Sequence, residues 1–186
     1  KFINSVFFLF SIMFVFGQEN KPNIVWLVCE DQSAQFFPMY GDKTVSLPHL
    51  EKLAEDSVLF ENMHATTPVC APARSAIITG MYPTSLGTHN MRAYNEGRKI
   101  NQPQLGIPSY SPKFPEYIKP FTVYLREEGY YCTNSNKQDY NFEITSDAWD
   151  QSCRYCQGEE KENIHWRKRE AGQPFFAVFN FQITHE

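Results

Sequence analysis

The sequence predicts an α/β fold, a mostly parallel central sheet with helices on both faces, and three observations carry that expectation. A continuous apolar run, Asn23 to Cys29, has the pattern of a strand buried on both faces, and Phe175 to Phe181 reads as another apolar strand. Segments with the apolar spacing of helices alternate with short β-prone stretches between them. Polar residues follow both runs, Glu30-Asp31 after the first and His185 after the last, and ligands of such sheets gather at the carboxyl ends of the strands.

The first element after Pro22 is the strand at 23–29, expected at the centre of the sheet. Leu47 to Asp56 places Leu50, Leu53 and Ala54 on one helical face, with Pro48 suited to the first turn. Ser57 to Asn62 reads as a short strand, and Pro72 to Thr79 as a helix stopped by Gly80. A helix at about Phe121 to Glu128 ends at Gly129 and leads into a strand at Tyr130 to Thr133. The segment from Arg92 to Pro120, with five prolines, is too long for a passive connection and reads as a surface loop or lid. Glu159 to Glu170 is expected as a solvated helix, and Trp149 and Trp166 beside it as packing residues.

With 186 residues, 42% apolar and 20% charged, the chain can bury a core, which excludes wholesale disorder. Lys plus Arg total 17 against 21 for Asp plus Glu, a formal charge of -4, and nothing in that balance suits a nucleic-acid backbone. Residues 1–17 read as a signal peptide: the apolar stretch from Val6 to Phe16 is too short for a bilayer span, and Gly17 suits a cleavage site before Gln18. The remaining 18–186 is then an exported chain, in a periplasmic, secreted or lysosome-like compartment, with no stable membrane span. Five cysteines, Cys29, Cys70, Cys132, Cys153 and Cys156, leave at least one without an intrachain partner. Cys153 and Cys156 form a lone C-x-x-C, better suited to a local disulfide or idle thiols than to zinc.

The chemistry concentrates in Pro68-Val69-Cys70-Ala71-Pro72-Ala73-Arg74 and the following Thr79-Gly80. Cys70 falls at a helix start, where free N–H groups and the helix dipole favour an anion. Arg74 lies one turn on and can turn its guanidinium toward the same anion. Thiol phosphatases separate Cys and Arg by a longer loop, so this spacing disfavours them.

C-x-P-x-R followed by Thr-Gly resembles the signature of the type I sulfatases. In that family the Cys is oxidised to formylglycine by a maturation enzyme, which the resemblance implies for Cys70. The resemblance continues on both sides. Pro22 to Asp31 is similar to the family strand that delivers two acidic metal ligands, with Glu30 standing where the family usually has Asp; it implies Glu30, Asp31 and residue 70 as ligands of a hard divalent cation, Ca2+. Leu47 to Asn62 is similar to the family segment that follows. Glu128 to Lys137 resembles the stretch that brings a sulfate-binding Lys, which falls on Lys137, while Asp139 holds the place of a common His and either stands in for it or faces solvent. Phe175 to His185 resembles the strand that ends in a His near the leaving group.

The implied fold is the alkaline-phosphatase-like α/β sandwich, incomplete here, with 18–186 the N-terminal part of a sulfatase catalytic domain. The implied reaction is hydrolysis of a sulfate ester or sulfamate on a sulfated polysaccharide or oligosaccharide. Formylglycine at 70 is the nucleophile, Arg74 and Lys137 bind sulfate oxygens, and His185 protonates the leaving atom. His89, in Gly87 to Arg92, reads either as a residue lining the substrate pocket or as a surface or capping residue. The rival functions are a phosphatase or phosphonate hydrolase of the same superfamily, and a non-catalytic exported binding protein.

Overall fold

The two longest strands come from largely apolar runs, β1 at Ile24–Cys29 and β4 at Phe175–Phe181. They lie in a computed structural model that describes residues 21–92, 112–153 and 163–185. The expected signal peptide, most of the expected lid segment and Cys156 lie outside the described residues. Strand β2, Tyr131–Ser135, and the short β3, Gln151–Ser152, complete a sheet of order β1-β4-β2-β3. All three pairings are parallel, with Val28 opposite Asn180 and Asn134 opposite Val178.

That order corrects the expected place of β1, which is an edge strand among the described residues. Val25 and Leu27, alternate residues on one face, are 46% and 57% exposed. An apolar run says that a strand can be buried, and not on which side it finds a neighbour. β4 holds the centre, with Phe175 to Val178 buried.

Helix α1 spans Pro48–Glu55, with Pro48 in its first turn. Its expected inward face is only partly covered: Leu50 and Ala54 are half-buried and Leu53 is exposed. The strand expected at Ser57 to Asn62 is absent. Val58 and Phe60 are exposed and no ladder partner faces them among the described residues; the Phe60 carbonyl instead accepts from the Tyr40 hydroxyl at 3.2 Å. Helix α2 spans Cys70–Thr79, starting two residues before Pro72. Pro72 is harmless there because the first N–H groups of a helix have no intrahelical partner. Gly80, at φ 67, ends it through its N–H to Ala76 O at 2.8 Å. A four-residue helix α3, Pro83–Leu86, follows, and α4, Phe121–Glu127, ends before Gly129 as expected.

The core lies between α2, α4 and one sheet face, where Ile78, Val123, Cys132, Trp149, Phe176 and Val178 meet. On the other face a 3-10 turn at Trp166–Lys168 replaces the expected solvated helix, of which 159–162 lie outside the described residues. Its Trp166 ring stacks on Phe175 with centroids 4.8 Å apart, so both expected tryptophans are packing residues. Cys153 is disulfide-bonded, while Cys29, Cys70 and Cys132 are free thiols. No helix among the described residues is long and apolar enough to cross a membrane.

Candidate active site

The site forms where the carboxyl ends of β1 and β4 meet the start of α2. The N–H of Glu30 extends the ladder by one step, donating to Phe181 O at 3.1 Å, and Asp31, at φ 53, then turns the chain. The two acids part company at that turn. Glu30 is 4% exposed, whereas the Asp31 side chain is 53% exposed.

Two cations converge on Glu30. Arg74 Nη2 lies 2.6 Å from Oε2, and Lys137 Nζ lies 2.7 Å from Oε1. Burial alone would raise the Glu30 pKa, but the hydrogen bond from Lys137 and the charge of Arg74 outweigh it and hold the carboxyl below its usual range. Glu30 is therefore an ionised acid in a nearly dry place.

Helix α2 delivers Cys70 in its first position and Arg74 one turn later, so both face the end of β1. Cys70 is half-buried, and its Sγ, a Glu30 oxygen and a His185 ring nitrogen lie within 4.8 Å of one another. His185 sits in a turn after β4, its backbone N–H donating to Gln182 O at 3.0 Å, and its Nε2 reaches within 4.0 Å of Asp31 Oδ2. Thr184 fastens that turn to β1 through its hydroxyl, which donates to the Glu30 carbonyl. A cavity of about 490 Å³ opens here, with Glu30, Asp31, Cys70 and Arg74 at its polar end and Trp26 and Phe176 in its apolar depth.

Lys137 reaches the site from an unusual turn after β2. Asn136 and Lys137 both have positive φ, 65 and 44, which costs a non-glycine residue of order 1–3 kcal/mol each. Local bonds hold the turn: Lys137 N donates to Asn136 Oδ1 at 2.9 Å, and Asp139 N to Lys137 O at 2.9 Å. Asp139 does not face solvent. It is 7% exposed, and its carboxylate is gripped by Arg92 at 2.5 and 3.0 Å. Asn141 locks the same region, its amide donating to Thr88 O at 2.9 Å and Asn90 O at 2.7 Å and its Oδ1 accepting from Arg92 N at 3.0 Å. His89 itself is exposed.

The structure thus brings Glu30, Cys70, Arg74, Lys137 and His185 together and leaves Asp31 at the rim. Sequence reasoning missed Asn180, Arg92 and Asn141. Asn180 could have been found: a lone amide inside Phe-Phe-Ala-Val-Phe-Asn-Phe has to be hydrogen-bonded if that strand is buried. Nothing comparable marks Arg92 or Asn141, which lie in polar stretches.

The acidic strand end offers oxygen donors of the kind a hard cation takes. Glu30 is ionised and the Asp31 carboxylate is accessible at the same strand end, as oxygen coordination requires. The Cys70 sulfur is a soft donor that calcium would not select, so a hard ion would need an oxygen at position 70. Carboxylate oxygens are thus present at this strand end, but the ligand atoms within 4.8 Å of one another are those of Glu30, Cys70 and His185, with Asp31 outside that group.

Comparison with known proteins gives a consistent result. The Sulfatase family model matches residues 22–186. An ulvan-active sulfatase of Formosa agariphila is 47% identical over 166 residues, 89% of this chain and 26% of that protein. Human N-acetylgalactosamine-6-sulfatase is 31% identical over 106 residues, 55% of this chain and 20% of that protein. A structure solved with its substrate D-glucosamine-2-N,6-O-disulfate superposes with TM-score 0.62 over 89% of this chain and 35% of its own, at 16% identity, a likeness of fold alone. The chain spans about a quarter of the length of the first of these curated relatives and a fifth of the second.

Proposed function

The chain belongs to the sulfatase family, and from that premise we propose that residues 18–186 are the N-terminal part of a catalytic domain that hydrolyses sulfate esters or sulfamates. The observation that carries the reading is the convergence of Arg74 and Lys137 on buried Glu30, opposite Cys70 at the start of α2. Two cations that share one carboxylate leave a net charge of +1 beside a helix N-terminus, which suits the monoanionic group of a sulfate ester or sulfamate.

Arg74 has five N–H donors, of which its contacts to Glu30 and Asn180 use two, so further donors can meet a sulfate oxygen. Lys137 likewise keeps protons beyond the one directed at Glu30. Both stabilise the negative charge that the sulfate oxygens carry while the bond to the leaving group breaks and its electron pair passes to the leaving atom. His185, half-exposed at the rim and within reach of Asp31, is placed to give its proton to the departing oxygen or nitrogen. Maturation of Cys70 to formylglycine would supply a hydrated aldehyde as nucleophile, and Glu30, Asp31 and residue 70 would hold a Ca2+ ion, which would supply positive charge to the same oxygens. That maturation requires a formylglycine-generating enzyme as partner.

The substrate is a sulfated polysaccharide or oligosaccharide, a reading supported by the 47% identical ulvan-active relative. Export guided by residues 1–17 places the enzyme where such polymers occur. The test is made on the full-length protein. Mass spectrometry of the peptide containing Cys70 is expected to show formylglycine, and aryl sulfate is expected to turn over faster than aryl phosphate. Cys70→Ala is expected to abolish turnover with the fold intact. Substantial turnover by purified Cys70→Ala, or preference for the phosphate, overturns the reading.

A further inference from the structure

Strand β4 is apolar except for Asn180, which is 2% exposed and opposite Val28 in the register with β1. Its amide is fully engaged. Oδ1 accepts from Arg74 Nη1 at 2.8 Å. Nδ2 donates to Asn134 Oδ1 at 2.9 Å and to Asn136 O at 2.9 Å, with Ser135 O at 3.4 Å. Chemistry allows no other orientation, because a guanidinium only donates and a backbone carbonyl only accepts. Asn134 strengthens that choice, since its own Nδ2 is directed at the Tyr140 hydroxyl at 3.1 Å and leaves its oxygen to accept.

One side chain therefore ties helix α2 to the left-handed turn that carries Lys137. The two cations it connects arrive on the two oxygens of the same carboxylate, Arg74 on Oε2 and Lys137 on Oε1. The Asn136 carbonyl lies in the peptide directly before Lys137, so its hydrogen bond to Asn180 fixes where that strained turn sits relative to Arg74. We propose that Asn180 is a positioning residue that sets the spacing of Arg74 and Lys137 and, through it, the affinity of the site for a sulfate group. Asn180 touches no reacting atom; it acts through the two cations. The proposal rests on the reading that these cations bind sulfate.

The experiment measures binding of inorganic sulfate by calorimetry to the full-length protein, in wild type, Asn180→Ala, Arg74→Lys and the double variant. Loss of a hydrogen bond to a charged group is expected to weaken sulfate binding by roughly tenfold or more in Asn180→Ala. In the Arg74→Lys background the same change is expected to have little further effect, because the link from α2 through Asn180 to the Lys137 turn is already cut at its Arg74 end and Asn180 no longer sets the spacing of the two cations. A residue that merely supports the fold would weaken binding equally in both backgrounds. Should Asn180→Ala fail to fold, Asn180→Ser, whose hydroxyl is too short to span Arg74 and Asn136, replaces it in the same cycle. Unchanged affinity, full weakening in both backgrounds, or no sulfate binding by wild type overturns the proposal. Aryl sulfate turnover measured alongside separates the two readings. Asn180-dependent sulfate binding without turnover rejects the hydrolase and leaves this inference standing, and turnover with Asn180-independent binding does the reverse.

Discussion

Glu30 keeps its charge because Arg74 and Lys137 replace the water it has lost, and this makes it the residue on which the site's stability turns. Glu30→Gln leaves two buried cations facing a neutral amide and is expected to cost about 3–5 kcal/mol in a urea titration, as for other buried pairs broken on one side. The pH dependence has a definite sign. The folded carboxyl titrates below its ordinary value of 4.5, so its contribution is complete above that value and is lost as pH falls through the depressed one. The acid limb of the stability curve is expected to flatten in Glu30→Gln. Asp31→Asn, at a position 53% exposed, is expected to leave stability within about 0.5 kcal/mol of wild type. Cys132 offers a contrast at the same scale. Burial, with the nearby Asp150 charge, pushes its thiol up to about 12 despite Arg126, so alkylation of the native protein is expected to spare it while modifying exposed Cys29. Residues with family-like spacing, Cys70 and Arg74 above all, were legible in the sequence because one helix turn relates them. Asn180 was not singled out because its four polar neighbours come from α2 and from the region of β2, and such distance in sequence hides a hydrogen-bond network.

The turn after β2 shows how an element can be placed by its neighbours. Two consecutive left-handed residues, Asn136 and Lys137, persist because Asn180 and Asp139 hold their carbonyls, while Arg92 grips Asp139 from the segment after α3. Asn141, at φ 64, repeats the fastening with its side chain. Ser75 of α2 closes the circuit through the Thr88 hydroxyl, 2.6 Å away, so α2, the segment at 88–92 and the Lys137 turn form one bonded unit. The buried Arg92 and Asp139 side chains are expected to behave as a coupled pair. Asp139→Asn and Arg92→Met each are expected to destabilise by about 3–5 kcal/mol, and the double variant by much less than the sum. Additive losses in the thermal unfolding cycle would contradict that coupling. The bidentate grip also argues against Asp139 as a free base in place of a His. At this scale the sequence marked α2, α4 and the two long strands, whose apolar spacing or caps are local. It misjudged Ser57 to Asn62 because alternation without a ladder partner is not a strand, and it misplaced β1 because sheet order is set by long-range pairing.

Across the whole molecule the polar and apolar consequences of β1 lie on opposite sides. Trp26 turns toward the core, with its ring centroid 5.0 Å from Phe176 and 5.5 Å from Phe121, and the strand's end presents Glu30 to the site. Val25 and Leu27 on the other side face outward, and Val58, Phe60 and Met63 add further exposed apolar surface at 76%, 66% and 81%. An edge strand combines such a face with unpaired N–H and C=O groups, which is the combination that recruits a second strand. The polypeptide of residues 18–186 is therefore expected to self-associate and to bind a hydrophobic dye while keeping its parallel sheet. The charge on this polypeptide does little to prevent this: without Lys1 it has 16 basic against 21 acidic residues, and a net of -5 gives only weak repulsion between copies. Leu27→Lys places a charge on the outer face opposite Phe179 in the register, away from Glu30 and the core, and is expected to shift the polypeptide toward monomer in light scattering without loss of far-ultraviolet signal. Leu53→Lys on α1, equally exposed at 58% but away from the sheet edge, is the control and is expected to change association far less. If both variants reduce association alike, general apolar exposure drives it; if Leu27→Lys alone does, the exposed face of edge strand β1 drives it.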